Sequence, residues 1–229
     1  DCFGCDVDYS LGKNFADFAD QFSKDSRYRT ELYKLRRKFM SHADGLIHAD
    51  LHTSNIMASR DKMKVIDMEF AFMGPFGYDL GYLVGNLISQ YCAACFKRFP
   101  SEQNRKQFKA YLLATIKSLI ETYMKTFTLC WEKSVKERYR GQQGLLQSIL
   151  QEVMEDVPGY ASMVNWFRSV SEIPYPDFDI IEDKDAKRNA TVLSLMIDWG
   201  IMFGRYKYQS ADDLIETIIG IEEEFRKSL

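Results

Sequence analysis

The strongest constraint on this chain is a change of hydrophobic period that occurs twice. From about residue 79 onward, apolar residues recur at helical spacing over 79–98, 102–139, 142–168, 187–206 and 211–227. The opening to about residue 44 is also helical in pattern: "FADFADQF", then "YRTELYKLRRKFMSHA", where Leu32, Leu35 and Phe39 recur with basic residues between. Between these regions the period shortens. "GLIH", "NIMAS" and "MKVIDME" are brief apolar runs divided by polar punctuation, which predicts two or three small strands with "RDK" as the turn between the last two. The fold class expected is α+β, mostly α-helical, with one small β element.

A chain of 229 residues can bury a core of its own as a single domain. We divide it into a helical lead-in (1–44), a hairpin segment (45–79) and a helical subdomain (80–229). Pro100, Pro158, Pro174 and Pro176 fall where helices are expected to stop, and "SEIPYPDFDIIED" is expected to be an irregular connection.

Charge and composition exclude several classes of function. The net charge is -3, and lysines and arginines are dispersed rather than gathered into a stripe, so a nucleic-acid partner is disfavoured. No apolar run is long enough to span a bilayer, and "DCFGCDVDYS" lacks the layout of a signal peptide. The expectation is a soluble, cytoplasmic chain with no membrane partner. Cys2, Cys5, Cys92, Cys95 and Cys130 give two C-x-x-C spacings and one residue over. A zinc ribbon would use both pairs, but the second lies in an apolar helical pattern, so reduced thiols are the expectation.

The dense polar chemistry falls in and beside the strands. "LIHADLHTSNIM" contains His48, Asp50 and Asn55 in an H-x-D-x-x-x-x-N pattern. A phosphoryl-transfer loop needs an aspartate to accept or orient the proton of the attacking hydroxyl and an asparagine five residues later to reach magnesium. Twelve residues after Asn55, "KVIDMEFAF" supplies Asp67 and Glu69. If the strand continues, these two carboxylates share a face and offer hard oxygens to a divalent metal. Ordinary turn chemistry accounts for Asp50 or Asn55 singly. It does not account for an acidic pair ending an apolar strand, where unpaired carboxylates repel. The rival chemical reading takes His48, Asp50 and His52 as an H-x-D-x-H zinc cluster; His42, the only other histidine, lies on the far side of the apolar run.

The stretch "KFMSHADGLIHADLHTSNIMAS" followed by "KVIDMEFAFMGPFGYDLGYLVGNLISQY" resembles the 5-methylthioribose kinase family, within the aminoglycoside phosphotransferase and choline kinase-like group. The resemblance runs from about residue 30 to 100 and more loosely to the C-terminus. It implies the C-terminal lobe of a protein-kinase-like fold, with ATP and Mg2+ as cofactors and a small sugar as phosphoryl acceptor at its 1-hydroxyl, in methionine salvage. By that resemblance Asp50 is the base, His48 braces the loop, His52 belongs to the acceptor side, and Asp67, Glu69 and Asn55 hold metal and nucleotide. A homodimer is the family's usual state.

The departures from the family pattern are informative. Where the family usually has glycine, this chain has Ala49, which fits if the backbone needs no positive φ there. Two adjacent arginines that grip the sugar in the family fall, by the simplest alignment, at Asp198 and Trp199. Val192, Met196, Trp199 and Phe203 form a helical stripe, which predicts a core position for Trp199; Arg205 is the candidate replacement cation. No strand-rich segment or G-x-G-x-x-G precedes residue 45, and Lys13 follows a lone glycine, so the expectation is a lobe without its nucleotide-covering partner. A non-catalytic binding lobe, or a kinase for an aminoglycoside or choline, are the alternatives.

Overall fold

The computed structural model describes residues 24–170 and 176–229. The N-terminal lead-in before residue 24, with "FADFADQF", Cys2, Cys5 and Lys13, and the first part of the "SEIPYPDFDIIED" connection lie outside the described residues.

Helix α1 (Ser26–Ser41) starts where the Asp25 carboxylate accepts the backbone N–H groups of Arg27 and Tyr28. Its buried face is Tyr28, Glu31, Leu32 and Leu35, the i, i+3, i+4, i+7 positions of an amphipathic helix. Two nested hairpins follow. Strand β1 (Gly45–Ile47) pairs antiparallel with β4 (Phe72–Gly74), and inside that pair β2 (Ile56–Ala58) pairs with β3 (Met63–Val65). The predicted turn at "RDK" closes the inner pair, with the Ser59 N–H donating to the Lys62 carbonyl.

The remainder is helical: α2 (Tyr78–Phe96), α3 (Glu102–Ser134), α4 (Gln143–Val170), α5 (Pro176–Asp179), α6 (Lys184–Gly204) and α7 (Ala211–Ser228). Helix α2 is apolar on nearly every side and is buried along its length. It runs parallel to α4 at very short range. A Cβ on Gly81 would stand 2.8 Å from the Val157 carbonyl, and one on Gly85 would stand 2.8 Å from that of Ala161. Those glycines let two backbones touch, which no larger residue permits. Val84, Ile88, Ile116, Val157, Leu193, Ile197 and Ile218 form the main core, and a second cluster of Tyr28, Leu35, Ile47, Tyr78, Tyr160 and Met202 lies beneath β1.

One sequence expectation is corrected here. Pro158 does not stop a helix: α4 runs through it. A proline removes one N–H and disturbs the preceding turn; Arg205 donates to the Glu155 carbonyl at 3.4 Å in that turn, and a Cβ on Gly159 would come 2.9 Å from the same guanidinium. Packing on both flanks keeps the helix whole. Trp199, half-buried, packs against the second core cluster as its helical stripe predicts; it stacks on Tyr28 at 5.9 Å with the Arg27 guanidinium 5.4 Å over its ring.

Among the described residues no helix is long and apolar enough to cross a membrane. The order of elements, a small hairpin unit followed by a helical bundle, is that of a protein-kinase-like C-terminal lobe.

Candidate active site

The loop between β1 and β2 is pinned to the start of α2. The Asp79 carboxylate accepts the backbone N–H of His48 at 2.6 Å and that of Ala49 at 2.9 Å. One turn further along the helix, the Tyr82 hydroxyl donates to Asp50 Oδ1 at 3.0 Å. Another turn on, Asn86 Oδ1 accepts the Thr53 N–H at 3.3 Å. Three polar side chains at helical spacing thus hold one loop.

Ala49 lies at φ +67°, in the left-handed region that favours glycine. The condition under which alanine would fit comfortably is therefore not met. The two N–H groups clamped by Asp79 hold the strained turn in place, at a cost of roughly 1–2 kcal/mol for a non-glycine residue there.

The structure brings most of the expected site residues together. His48 is buried; its Nδ1 accepts the Asp50 N–H at 3.3 Å and its Nε2 faces the Ile66 carbonyl at 2.8 Å. That pattern assigns the proton to Nε2. His48 thereby ties the loop to the segment that carries Asp67. Asn55 is also buried, and its Nδ2 donates to the Asp50 carbonyl at 3.0 Å. The register Ile56↔Val65, extended by the bond from the Ile66 N–H to the Asn55 carbonyl, sets Asn55 across from Ile66, the residue that precedes Asp67. His52 Nε2 stands 3.4 Å from Asp50 Oδ2, so the carboxylate is flanked by Tyr82 on one oxygen and His52 on the other.

The carboxylate pair is presented differently from the expectation. Strand β3 ends at Val65, so Asp67 and Glu69 do not alternate on a continuing strand. Asp67 sits at φ +65° and residues 69–70 form a turn, with both carboxylates exposed. The chain's own donors still suit magnesium: two hard carboxylates and an amide oxygen, with the rest of an octahedron left for water and phosphate. Among the described residues no group of three or more His, Cys, Asp or Glu side chains is placed to hold a metal, which leaves the H-x-D-x-H zinc reading without a site.

Arg205 is not brought to the loop. It is buried at the end of α6, where Nη2 donates to Glu31 Oε2 at 2.9 Å. Burial opposes ionisation of Glu31, yet the hydrogen bonds from Lys34, Tyr206 and Arg205 hold its carboxyl down to about 2. This cation is committed to fastening α1 to the bundle. Asp198, one of the two positions aligned with the family's arginines, is wholly buried: its Oδ1 accepts from Asn165 Nδ2 at 2.6 Å and its Oδ2 has no partner. Cys92 and Cys95 are buried on α2 as free thiols, and burial pushes both up, Cys95 to about 12.

Sequence reasoning missed Asp79, Tyr82 and Asn86 as site residues. The signal was present: in "YDLGYLVGN" they recur at i, i+3 and i+7, a polar stripe on an otherwise apolar helix.

Residues 8–119 match the model of a phosphotransferase enzyme family. The chain is 32% identical over 198 residues to the methylthioribose kinase of Geobacillus thermodenitrificans (strain NG80-2), covering 86% of this chain and 48% of that protein. It is 33% identical over 190 residues to the methylthioribose kinase of Geobacillus kaustophilus (strain HTA426), covering 83% and 46%. With methylthioribose kinase 2 of Oryza sativa subsp. japonica the identity is 31% over 203 residues, covering 84% and 47%. The chain spans about half the length of the curated relatives it matches. Its loop order, its pinned aspartate and these likenesses agree: the chain belongs to the phosphotransferase enzyme family.

Proposed function

We propose that this chain is the acceptor-side and metal-side lobe of an ATP-dependent small-molecule kinase, with 5-methylthioribose as its phosphoryl acceptor. The observation that carries the proposal is the convergence of His48, Asp50, Asn55 and the Asp67 segment through one ladder register and one histidine bridge. The names of the relatives support the choice of acceptor.

In this reading Asp50 orients the acceptor hydroxyl and takes its proton as the hydroxyl oxygen bonds to the γ-phosphorus. The bond from that phosphorus to the bridging oxygen breaks, and ADP leaves with the electron pair. His48 and Asn55 hold the loop. Asp67, Glu69 and Asn55 would bind magnesium, which when present neutralises phosphate charge. The residues of this lobe position and orient, which is most of what phosphoryl transfer asks of a protein. A cytoplasmic setting and a homodimer go with this proposal, and sedimentation checks the second.

Asp198 favours a second reading, a kinase for another hydroxylated molecule such as an aminoglycoside or choline. A buried carboxylic acid cannot replace a sugar-gripping guanidinium. Incubating the chain, alone and joined to its upstream reading frame, with Mg-ATP and each acceptor separates the readings by ADP release. Turnover with methylthioribose that Asp50→Asn abolishes supports the first. Turnover with another alcohol alone supports the second, and none with any alcohol by a folded protein overturns both.

A further inference from the structure

The contacts around Asp50 assign a role to a residue that the proposed function does not use. Tyr82 reaches from α2 to donate to Asp50 Oδ1 at 3.0 Å, while His52 faces Oδ2 at 3.4 Å. The two partners are unequal in what holds them. Tyr82 stands on the most buried helix of the bundle, and the Arg168 guanidinium lies 6.0 Å over its ring. Arg168 is itself buried on α4 and ion-paired to Asp177 at 3.1 Å. His52 belongs to the loop that it would have to steady, and its side chain is one-quarter exposed. A hydroxyl mounted on a rigid helix fixes a carboxylate's rotamer better than an imidazole that shares the carboxylate's own loop.

We propose that Tyr82 is the positioning residue for Asp50: its hydroxyl occupies Oδ1 and so presents Oδ2, on the His52 side, to the acceptor hydroxyl. The role rests on the phosphotransfer reading of Asp50. A base held by one oxygen has one orientation available, and near-attack geometry loses rate steeply when a reacting group is free to rotate. Arg168 and Asp177 act one step back, setting the ring of Tyr82.

Tyr82→Phe removes the hydroxyl and keeps the ring beneath Arg168, and thermal unfolding checks that the bundle is intact. The measurement is the side-chain rotamer of Asp50, read from three-bond nitrogen–carbon couplings in the labelled chain, beside His52→Gln as the comparison. The expected result is a single rotamer in the unaltered chain and in His52→Gln, and averaged couplings in Tyr82→Phe. A single rotamer retained in Tyr82→Phe, or averaging caused by His52→Gln instead, overturns the proposal. Should Tyr82→Phe unfold the chain, Arg168→Lys tests the same hydroxyl from behind the ring, with partial averaging expected and an unchanged rotamer counting against it. Phosphotransfer is followed separately in the same variants, alone and joined to the upstream reading frame: Tyr82→Phe is expected to lower kcat about tenfold with KM for ATP unchanged. Rotamer averaging without turnover in any of them would retain the positioning contact and reject the phosphotransfer reading.

Discussion

Asp198 in the helical bundle and Asp67 in the hairpin segment show how differently two parts of one chain treat a carboxylate. Asp198 is wholly enclosed between α4 and α6, bonded to Asn165. Asp67 is exposed on a backbone at φ +65°, just past the end of a three-residue strand. The bundle hides polar groups inside a continuous apolar core. The hairpin segment exposes the Asp67 and Glu69 carboxylates and much of its apolar surface, including Met57, Met63, Met68 and Phe70. Its loop between β1 and β2 is held to α2 through Asp79, Tyr82 and Asn86. Stability and reactivity are thus housed in different elements and joined at one helix face.

Removing the main joint should give the largest effect. Asp79→Ala deletes the acceptor for two backbone donors at a strained turn, a local loss on the order of 3–5 kcal/mol from two charge-assisted bonds. Hydrogen exchange should show amides 48–55 losing protection while those of α2 and α4 keep theirs. Uniform loss across both regions would mean that the hairpin segment and the bundle are one cooperative unit.

The reverse disruption enters from the bundle. Gly85→Ala places a methyl 2.8 Å from the Ala161 carbonyl, and backbone cannot swing aside as a side chain can. Overpacking of this kind costs about 2 kcal/mol of global stability, measured as a lower denaturant midpoint. A neutral result would show that α2 and α4 do not approach as closely as the glycine stripe requires.

Neither Asp79 nor Gly85 stands out in the sequence by residue type alone, although "YDLGYLVGN" carries both. The helical periods placed the long helices, and the loop motif placed His48, Asp50 and Asn55 correctly beside one another, because residue type and spacing encode them. What the sequence did not reveal is backbone strain and long-range partnership. Ala49 occupies a left-handed conformation that alanine does not announce, and Asp67 one that aspartate tolerates but does not require. Pro158 was read as a stop, since local propensity says nothing of the packing on both sides of α4 that holds a helix through it. Arg205 was offered to the site because its charge was visible while Glu31, 174 residues away in sequence, was not an evident partner.

Asp198 yields an effect that depends on pH. Burial pushes its carboxyl well above the usual carboxylate range, and the bond from Asn165 only partly opposes this. The folded chain therefore keeps a proton that the unfolded chain releases. Stability should fall as pH rises above the unfolded carboxyl's value, until the folded group ionises, by at most about 1.4 kcal/mol per pH unit. Asp198→Asn should remove that decline, so that its denaturant midpoint gains on the unaltered chain as pH is raised from 5 to 8. A midpoint difference that is independent of pH would show that Asp198 is ionised in its enclosure.

The finest test of the contrast makes one substitution in both regions and asks for opposite signs. Ala110 is exposed on α3, where alanine to glycine loses helix propensity and costs about 1 kcal/mol. Ala49 stands at φ +67°, where the same change relieves roughly 1–2 kcal/mol of strain. Against this, glycine adds freedom to the unfolded chain, an opposing contribution of about 0.4–1 kcal/mol. The net expectation is a gain of about 0.5 kcal/mol for Ala49→Gly against a loss of about 1 kcal/mol for Ala110→Gly, both from denaturant midpoints. Should Ala49→Gly also destabilise, the turn would owe its shape to alanine's own contacts, and the strain would not be what Asp79 holds. A gain would instead show that the loop tolerates a locally unfavourable residue because two N–H groups are clamped to α2, so that its geometry is imposed from the bundle side.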